Sequence, residues 1–291
     1  MVGEELTPPT AEAVECALWL AKLNSARLRF FYSLDIGYQA QRLIQEDKDA
    51  EATIVGKAEQ ALDQLVDHAK KQAVTVDHVV TFGKSWLEIV RQVLREQYDL
   101  VIIGTKHRGA VERVFIGSTG MKLLRKCPCP VWVTHPPRSQ SHGAILVGHD
   151  LTEVGDLALE LGASMAELRQ APLHVVHAIE PIFADAAGPL AALTTDKEET
   201  HIAAKDHITA QLQRFQLARA AEIHVANGSP EAILLEHIER YDIDLMVMGT
   251  IACSGINGLL FGNTAERLLP LINCSVLAVK PADFQSPITL D

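Results

Sequence analysis

Residues 98–136, YDLVIIGTKHRGAVERVFIGSTGMKLLRKCPCPVWVTHP, lie over residues 243–281, IDLMVMGTIACSGINGLLFGNTAERLLPLINCSVLAVKP, without a gap. The shift is constant at 145: it is 249 − 104 for the glycines that close the apolar run, 262 − 117 for the next pair and 281 − 136 for the final prolines. Asp99, Leu100, Gly104, Thr105, Gly117, Thr119, Leu123, Leu124, Cys129, Val131 and Pro136 recur at the shifted positions. Upstream, the same shift lays Phe82-Gly83 over Asn227-Gly228, Ala26-Arg27-Leu28 over Ala171-Pro172-Leu173, and MVGEELT (1–7) over LVGHDLT (146–152). A gap-free repeat along the whole chain predicts two copies of one domain, and its period is far above that of solenoid repeats. A chain of 291 residues holds two such domains comfortably.

Each copy reads as alternating strand and helix. In the second, residues 144–149 (AILVGH) form a short apolar run suited to a buried strand. Residues 155–169 space Leu157, Leu161, Met165 and Leu168 as a helix does, and residues 173–179 (LHVVHAI) are β-branched and short. A long helix over 194–218, a third strand over 222–226 and a helix start at Gly228-Ser229-Pro230 follow, with Ser229 as cap and Pro230 at the first helical position. Strands over 244–248 and 275–280 bracket a helix over 264–271. In the first copy, residues 56–73 form a helix with Lys57, Glu59, Asp63, Asp67 and Lys70 on its solvated face. The order βαβαβαβαβ requires parallel pairing with helices on both faces, a flavodoxin-like or related doubly wound layout. The fold expected is therefore α/β, with two tandem doubly wound domains, each a five-stranded parallel sheet flanked by helices. Ligands in such sheets sit at the carboxyl ends of the strands, near the switch point.

The linker is HPPRSQSHG (135–143), so the expected domains run over 1–138 and 143–291. Met1 falls on Leu146, inside the first strand, so the first copy has a clipped first strand or the chain starts a few residues late. The fifth strands, over 131–134 and 276–280, are apolar for edges and would pair with each other as an internal pseudo-dimer.

Composition limits the function. Apolar residues make up 48% of the chain, enough for packed cores, yet no apolar run approaches the roughly 18 residues a membrane helix needs. Without a signal pattern at its start, the chain is expected to be cytoplasmic. A net charge of −11 repels phosphate backbones and argues against nucleic acid. Five cysteines in both halves read as reduced thiols.

The chemistry lies after the fourth strand, in the loops that run from Gly104 to Thr119 and from Gly249 to Thr264. Glycine at a strand end lets backbone approach a ligand, and Gly-Ser or Gly-Asn just before a helix offers N–H groups and a polar side chain to an anion. These loops resemble those of the universal stress protein family. That family has glycine, two residues, glycine, nine residues, then glycine with serine or threonine, and an aspartate ending its first strand. The second copy's GNTAERLL and the first copy's LLRKCPCPVWV are similar to the tandem, E-type branch. The resemblance covers essentially the whole chain. It implies an adenine nucleotide α-hydrolase-like fold and a stress-response role, with ATP or ADP as candidate ligand and magnesium as its companion. The binding residues it implies are Gly104, Gly117, Ser118 and Thr119 in the first copy, and Asp150, Gly249, Gly262, Asn263 and Thr264 in the second.

Both copies depart from the pattern. His107 and Ala252 stand where the second glycine belongs, and a side chain there fills space the ribose and phosphates need. Asn263 replaces the serine and still donates a hydrogen bond. Glu5 replaces the aspartate in the first copy. The first copy thus keeps the phosphate end, near Lys106, His107, Arg108 and Arg113, and the second keeps the base end. The loops lack the Walker lysine. Three readings stay open: a non-enzymatic stress-response protein acting by ligand sensing or protein contacts, with partial nucleotide sites; an ATP/ADP module with slow hydrolysis; and a carrier of a non-nucleotide ligand in the same cleft. The chain itself is an internal pseudo-dimer on this reading, and a homodimer is open. No metal ligands are expected: His149, His174 and His177 fall close together in sequence, but strand residues three apart face opposite ways. Cys127 and Cys129 enter the fifth strand, and the recurrence of Cys129 as Cys274 favours buried packing over redox chemistry.

Overall fold

The computed structural model describes residues 11–35, 48–107, 114–136, 143–180, 197–254 and 258–290. The chain divides into two compact units: residues 1–105, 117–129 and 285–291 form one, and residues 106–116 and 130–284 the other. The expectations for Glu5, Arg108, Arg113 and the clipped first strand lie outside the described residues.

The first unit holds α1 (Ala11–Asn24), β1 (Arg27–Leu34), α2 (Lys48–Lys71), β2 (Thr75–Phe82), α3 (Ser85–Glu96), β3 (Val101–Gly104) and α4 (Ser118–Lys126). Strands β1 and β2 pair in parallel from Arg27↔Thr75 to Leu34↔Phe82. Helices α1 and α2 turn apolar stripes onto them, and Leu18, Phe30, Leu62 and Val66 form the shared core. Between β1 and β3 lies an apolar cavity of about 660 Å³, lined among others by Ala17, Ala21, Leu28, Val93 and Ile102. In the second unit the equivalent slot is filled by a strand. Its counterpart in the first copy falls at the start of the chain, outside the described residues.

At the amino end of this sheet the Arg29 guanidinium grips Asp77, its register partner, through two bonds of 2.6 and 2.7 Å, and Arg27 adds a third contact. The Arg29 hydrogen bonds are the main reason the Asp77 carboxyl drops to about 2. A carboxylate lowered in the folded state stabilises above its unfolded value and loses that contribution as pH falls through the folded one. We expect acid unfolding followed by circular dichroism to find Asp77→Asn weaker than the parent at neutral pH, with the difference shrinking between about pH 5 and pH 2. A constant difference would mean Asp77 acts by shape alone.

The second unit holds β4 (Lys106–His107), β5 (Val114–Phe115), β6 (Val131–Thr134), β7 (Ala144–Gly148), α5 (Glu153–Arg169), β8 (Leu173–Ile179), α6 (Lys197–Leu212), β9 (Glu222–Asn227), α7 (Pro230–Arg240), β10 (Ile243–Gly249), β11 (Ile251–Ser254), β12 (Gly258–Phe261), α8 (Asn263–Leu268) and β13 (Ser275–Val279). Strands β13, β10, β7, β8 and β9 lie side by side in that order, all parallel. In the copy's own numbering this is 5-4-1-2-3, the related doubly wound order, with its switch point between β7 and β10. Most elements fall within a few residues of the expected ones. Helix α6 ends at Leu212 and not 218, α8 ends at Leu268 and not 271, and α2 starts at Lys48, ahead of residue 56.

Local chemistry explains the element ends. Ser229 Oγ accepts the Ala232 N–H, with Pro230 at the first helical position, as the sequence predicts. Gly83 and Gly228, one repeat apart, take φ of 133° and 147°, which only glycine holds without strain. Strand β6, which the repeat assigns to the first copy, lies in the second unit and pairs antiparallel with β13 through Val133↔Val276, Trp132↔Leu277 and Val131↔Ala278. Helix α5 presses on the central strands through Gly162, where an added Cβ would stand 2.3 Å from a Val147 methyl.

Candidate functional site

The carboxyl ends of β7 and β10 flank the switch point. Beyond β7, Asp150 is exposed, and its Oδ1 accepts both the backbone N–H and the hydroxyl of Thr152, at 3.1 and 2.6 Å. Thr152 in turn caps α5 by accepting the Gly155 N–H. A Cβ on Gly155 would meet Asp150 Oδ1 at 2.5 Å, so the carboxylate lies down on the start of the helix. This oxygen is already engaged within its own turn.

Beyond β10, the glycine loop is not an open cradle. Strands β11 and β12 pair antiparallel from Ile251↔Phe261 to Ser254↔Gly258, and the ribbon is closed by Gly262 N–H donating to Thr250 O at 3.0 Å. Gly249 faces Val154, whose methyl would stand 2.8 Å from an added Cβ, so its lack of a side chain serves helix packing. Ala252 sits in β11 as one of the ribbon's paired residues. Asn263 is exposed at the first position of α8 and Thr264 follows it. Beside the ribbon's first residue, Lys280, 4% exposed, donates from Nζ to Thr250 Oγ1 at 2.8 Å, a buried cation that spacing along the chain does not reveal.

The first copy repeats the ribbon. Lys106↔Phe115 and His107↔Val114 pair antiparallel, so the loops expected after the fourth strands are hairpins in both copies. In the first unit, Gly104 ends β3, and Gly117 caps α4 with extended backbone, its carbonyl accepting from Met121 N. Ser118 is exposed at the first turn of α4 and Thr119 is half-buried. Gly117, Ser118 and Thr119 thus keep the helix-start geometry that suits an anion.

Two histidine groups were missed by reading along the chain. His149, with a fully buried side chain, accepts the Leu151 N–H at Nδ1, so the neutral ring carries its proton on Nε2 and donates it to Asp156 Oδ1 at 3.2 Å. Burial holds this histidine below its usual range and therefore neutral. Asp156 also meets His207 Nε2 at 2.9 Å and Gln211 Nε2 at 3.3 Å, and His177 Nδ1 donates to His149 O at 2.8 Å. His149 cannot turn Nε2 toward a metal without setting its own N–H against that of Leu151. The second group, at the opposite end of the sheet, joins His174 of β8 to Glu222 and His224 of β9, with His237 and Tyr241 beside them. His174 and His177 diverge, as alternation along a strand requires. The signal for convergence lies in Glu222-x-His224, two apart on one face, and in the neighbouring strand that carries His174 into register.

The Cys127 and Cys129 sulfurs stand 3.6 Å apart, buried and unlinked. The bond to Cys127, then burial, pushes the Cys129 thiol far up, which keeps it protonated and inert. Among the described residues no helix is long and apolar enough to cross a membrane.

Comparison with known proteins agrees with the architecture. The sequence profile of the universal stress protein family matches residues 1–135 and again 142–280. Universal stress protein E of Photorhabdus laumondii is 22% identical over 95% of this chain and 92% of its own. The protein of the same name from Escherichia coli K12 is 24% identical over 96% and 92%. Among solved structures, a functionally unknown protein from Pseudomonas aeruginosa PAO1 aligns over 97% of this chain and 91% of its own, with a TM-score of 0.68 at 22% identity. A universal stress protein from Archaeoglobus fulgidus aligns over 95% and 96%, with a TM-score of 0.67 at 18% identity. With the family pattern matched in both halves and the fold shared along the length, the chain belongs to the universal stress protein family, as a tandem member similar to its E-type proteins.

Proposed function

We propose that this protein is a non-enzymatic, cytoplasmic stress-response protein that acts by ligand sensing or protein contacts, with two partial nucleotide sites. The observation that carries the reading is the second-copy loop, whose backbone groups pair with each other in the β11–β12 ribbon and whose Gly262 N–H is given to Thr250 O. A nucleotide would have to displace those bonds to reach the loop. At the base end, Asp150 would have to release Thr152. The domains behind the sites are residues 1–138 and 143–291, joined as an internal pseudo-dimer.

A second reading, an ATP/ADP-binding module with magnesium brought by the nucleotide, draws on the first copy alone. There Gly104, Gly117, Ser118 and Thr119 include an exposed hydroxyl at a helix start. Calorimetric titration of the full chain with Mg-ATP separates the two. The expected result is a Kd above about 0.1 mM for the parent, and little gain in a His107→Gly/Ala252→Gly variant. A micromolar isotherm that Ser118→Ala weakens would overturn the first reading in favour of the second.

A further inference from the structure

We propose that His174, Glu222 and His224 form a divalent transition-metal site of the zinc class, at the amino-terminal end of the second sheet and away from the glycine ribbons. His174 is the second residue of β8, and Glu222 and His224 are the first and third of β9. The strands run parallel with His174↔Glu222 in register, so three side chains meet on one face without any loop to place them.

The three donor atoms make a compact triangle. His174 Nδ1 stands 3.4 Å from His224 Nε2, and each is 3.7 Å from Glu222 Oε2. The centre of a triangle with these sides (3.4 × 3.7 × 3.7 divided by four times its area) lies about 2.1 Å from every corner, the length of zinc–imidazole and zinc–carboxylate bonds. His174 is buried and its ring is stacked on Tyr241 with centroids 4.2 Å apart, which fixes one ligand before a metal arrives. Glu222 is largely exposed and opens the triangle to solvent, from which a water completes the fourth position.

The first copy supplies an internal control. Shifted back by 145, His174 becomes Arg29, Glu222 becomes Asp77 and His224 becomes Val79. There the carboxylate is gripped in the same register by a guanidinium that belongs to the chain. In the second copy that cation is replaced by imidazole, and the carboxylate faces two histidine rings. A bound metal supplies the positive charge that Arg29 supplies in the first.

The test titrates the tag-free, chelator-treated full chain with Zn²⁺ against a chromophoric competitor, and with Co²⁺ followed by its visible spectrum. We expect one site per chain with a low-coordinate cobalt spectrum. His224→Gln should weaken it by more than about 100-fold, while Asp156→Asn, at the other histidine group, leaves it unchanged. Should His224→Gln fail to fold, imidazole ¹⁵N shifts of the parent decide the matter, since zinc must move Nδ1 of His174 and Nε2 of His224. No saturable binding at micromolar metal, undiminished binding in the folded His224→Gln protein, or shifts confined to other histidines would overturn the proposal.

Discussion

Replacing Trp132 with alanine is expected to lower the unfolding free energy by about 3–5 kcal/mol, the range for deleting a large buried aromatic. The side chain is 1% exposed on β6, opposite Leu277 of β13, with the Arg169 guanidinium 5.4 Å from its ring centre. Removing it leaves a void on the face of two strands whose backbones are tied together, so neighbours collapse into it poorly. Trp132→Leu, which installs the residue that the repeat holds at the shifted position, should lose less than half as much. Guanidinium unfolding of the two variants beside the parent checks both values. Equal losses would mean that the site reads aromaticity and not volume.

Gly162→Ala is the second large effect, at about 1–3 kcal/mol from overpacking. The new methyl would lie 2.3 Å from Val147 Cγ2 in the central strand β7, and Val147 is itself fully buried. Either α5 lifts from the sheet or the valine leaves its rotamer. Trimming the valine makes room, so Gly162→Ala with Val147→Ala should be more stable than the two single losses added together predict. A coupling of at least about 0.5 kcal/mol is expected, and additive losses would show that the helix simply slides. Because α5 also carries Thr152, Gly155 and Asp156 at its start, a lifted helix would loosen Asp150 and His149 as well.

Much of this architecture is legible along the chain because the repeat is written in residues that backbone geometry demands. Gly228 must hold a positive φ, Ser229 must cap, and the apolar runs at 144–149 and 244–248 can only be buried strands. The glycine loops are legible as positions but not as conformation. Whether Ile251 pairs with Phe261, or the backbone between them stays open, depends on bonds across ten residues that no spacing rule encodes. Gly249 reads from sequence either as a ligand contact or as a glycine the turn itself needs, and only the fold shows Val154 packed where its Cβ would stand. The histidine groups were illegible for another reason. His174 and Glu222 are 48 positions apart (222 − 174), and only the order of β8 and β9 in the sheet makes them neighbours.

Trp132 and Leu277 are the same position of the repeat, and they face each other across β6 and β13. Were the two copies separate identical chains meeting about a two-fold axis, the residue on that axis would confront itself, and every change would appear twice in one small space. Covalent fusion removes that demand for self-complementarity. A tryptophan can be matched by a leucine because the partner strand is a different stretch of polypeptide, held at a high and constant effective concentration. Each half is then free to specialise, and a guanidinium kept in one copy can become an imidazole in the other without either change being forced on its twin.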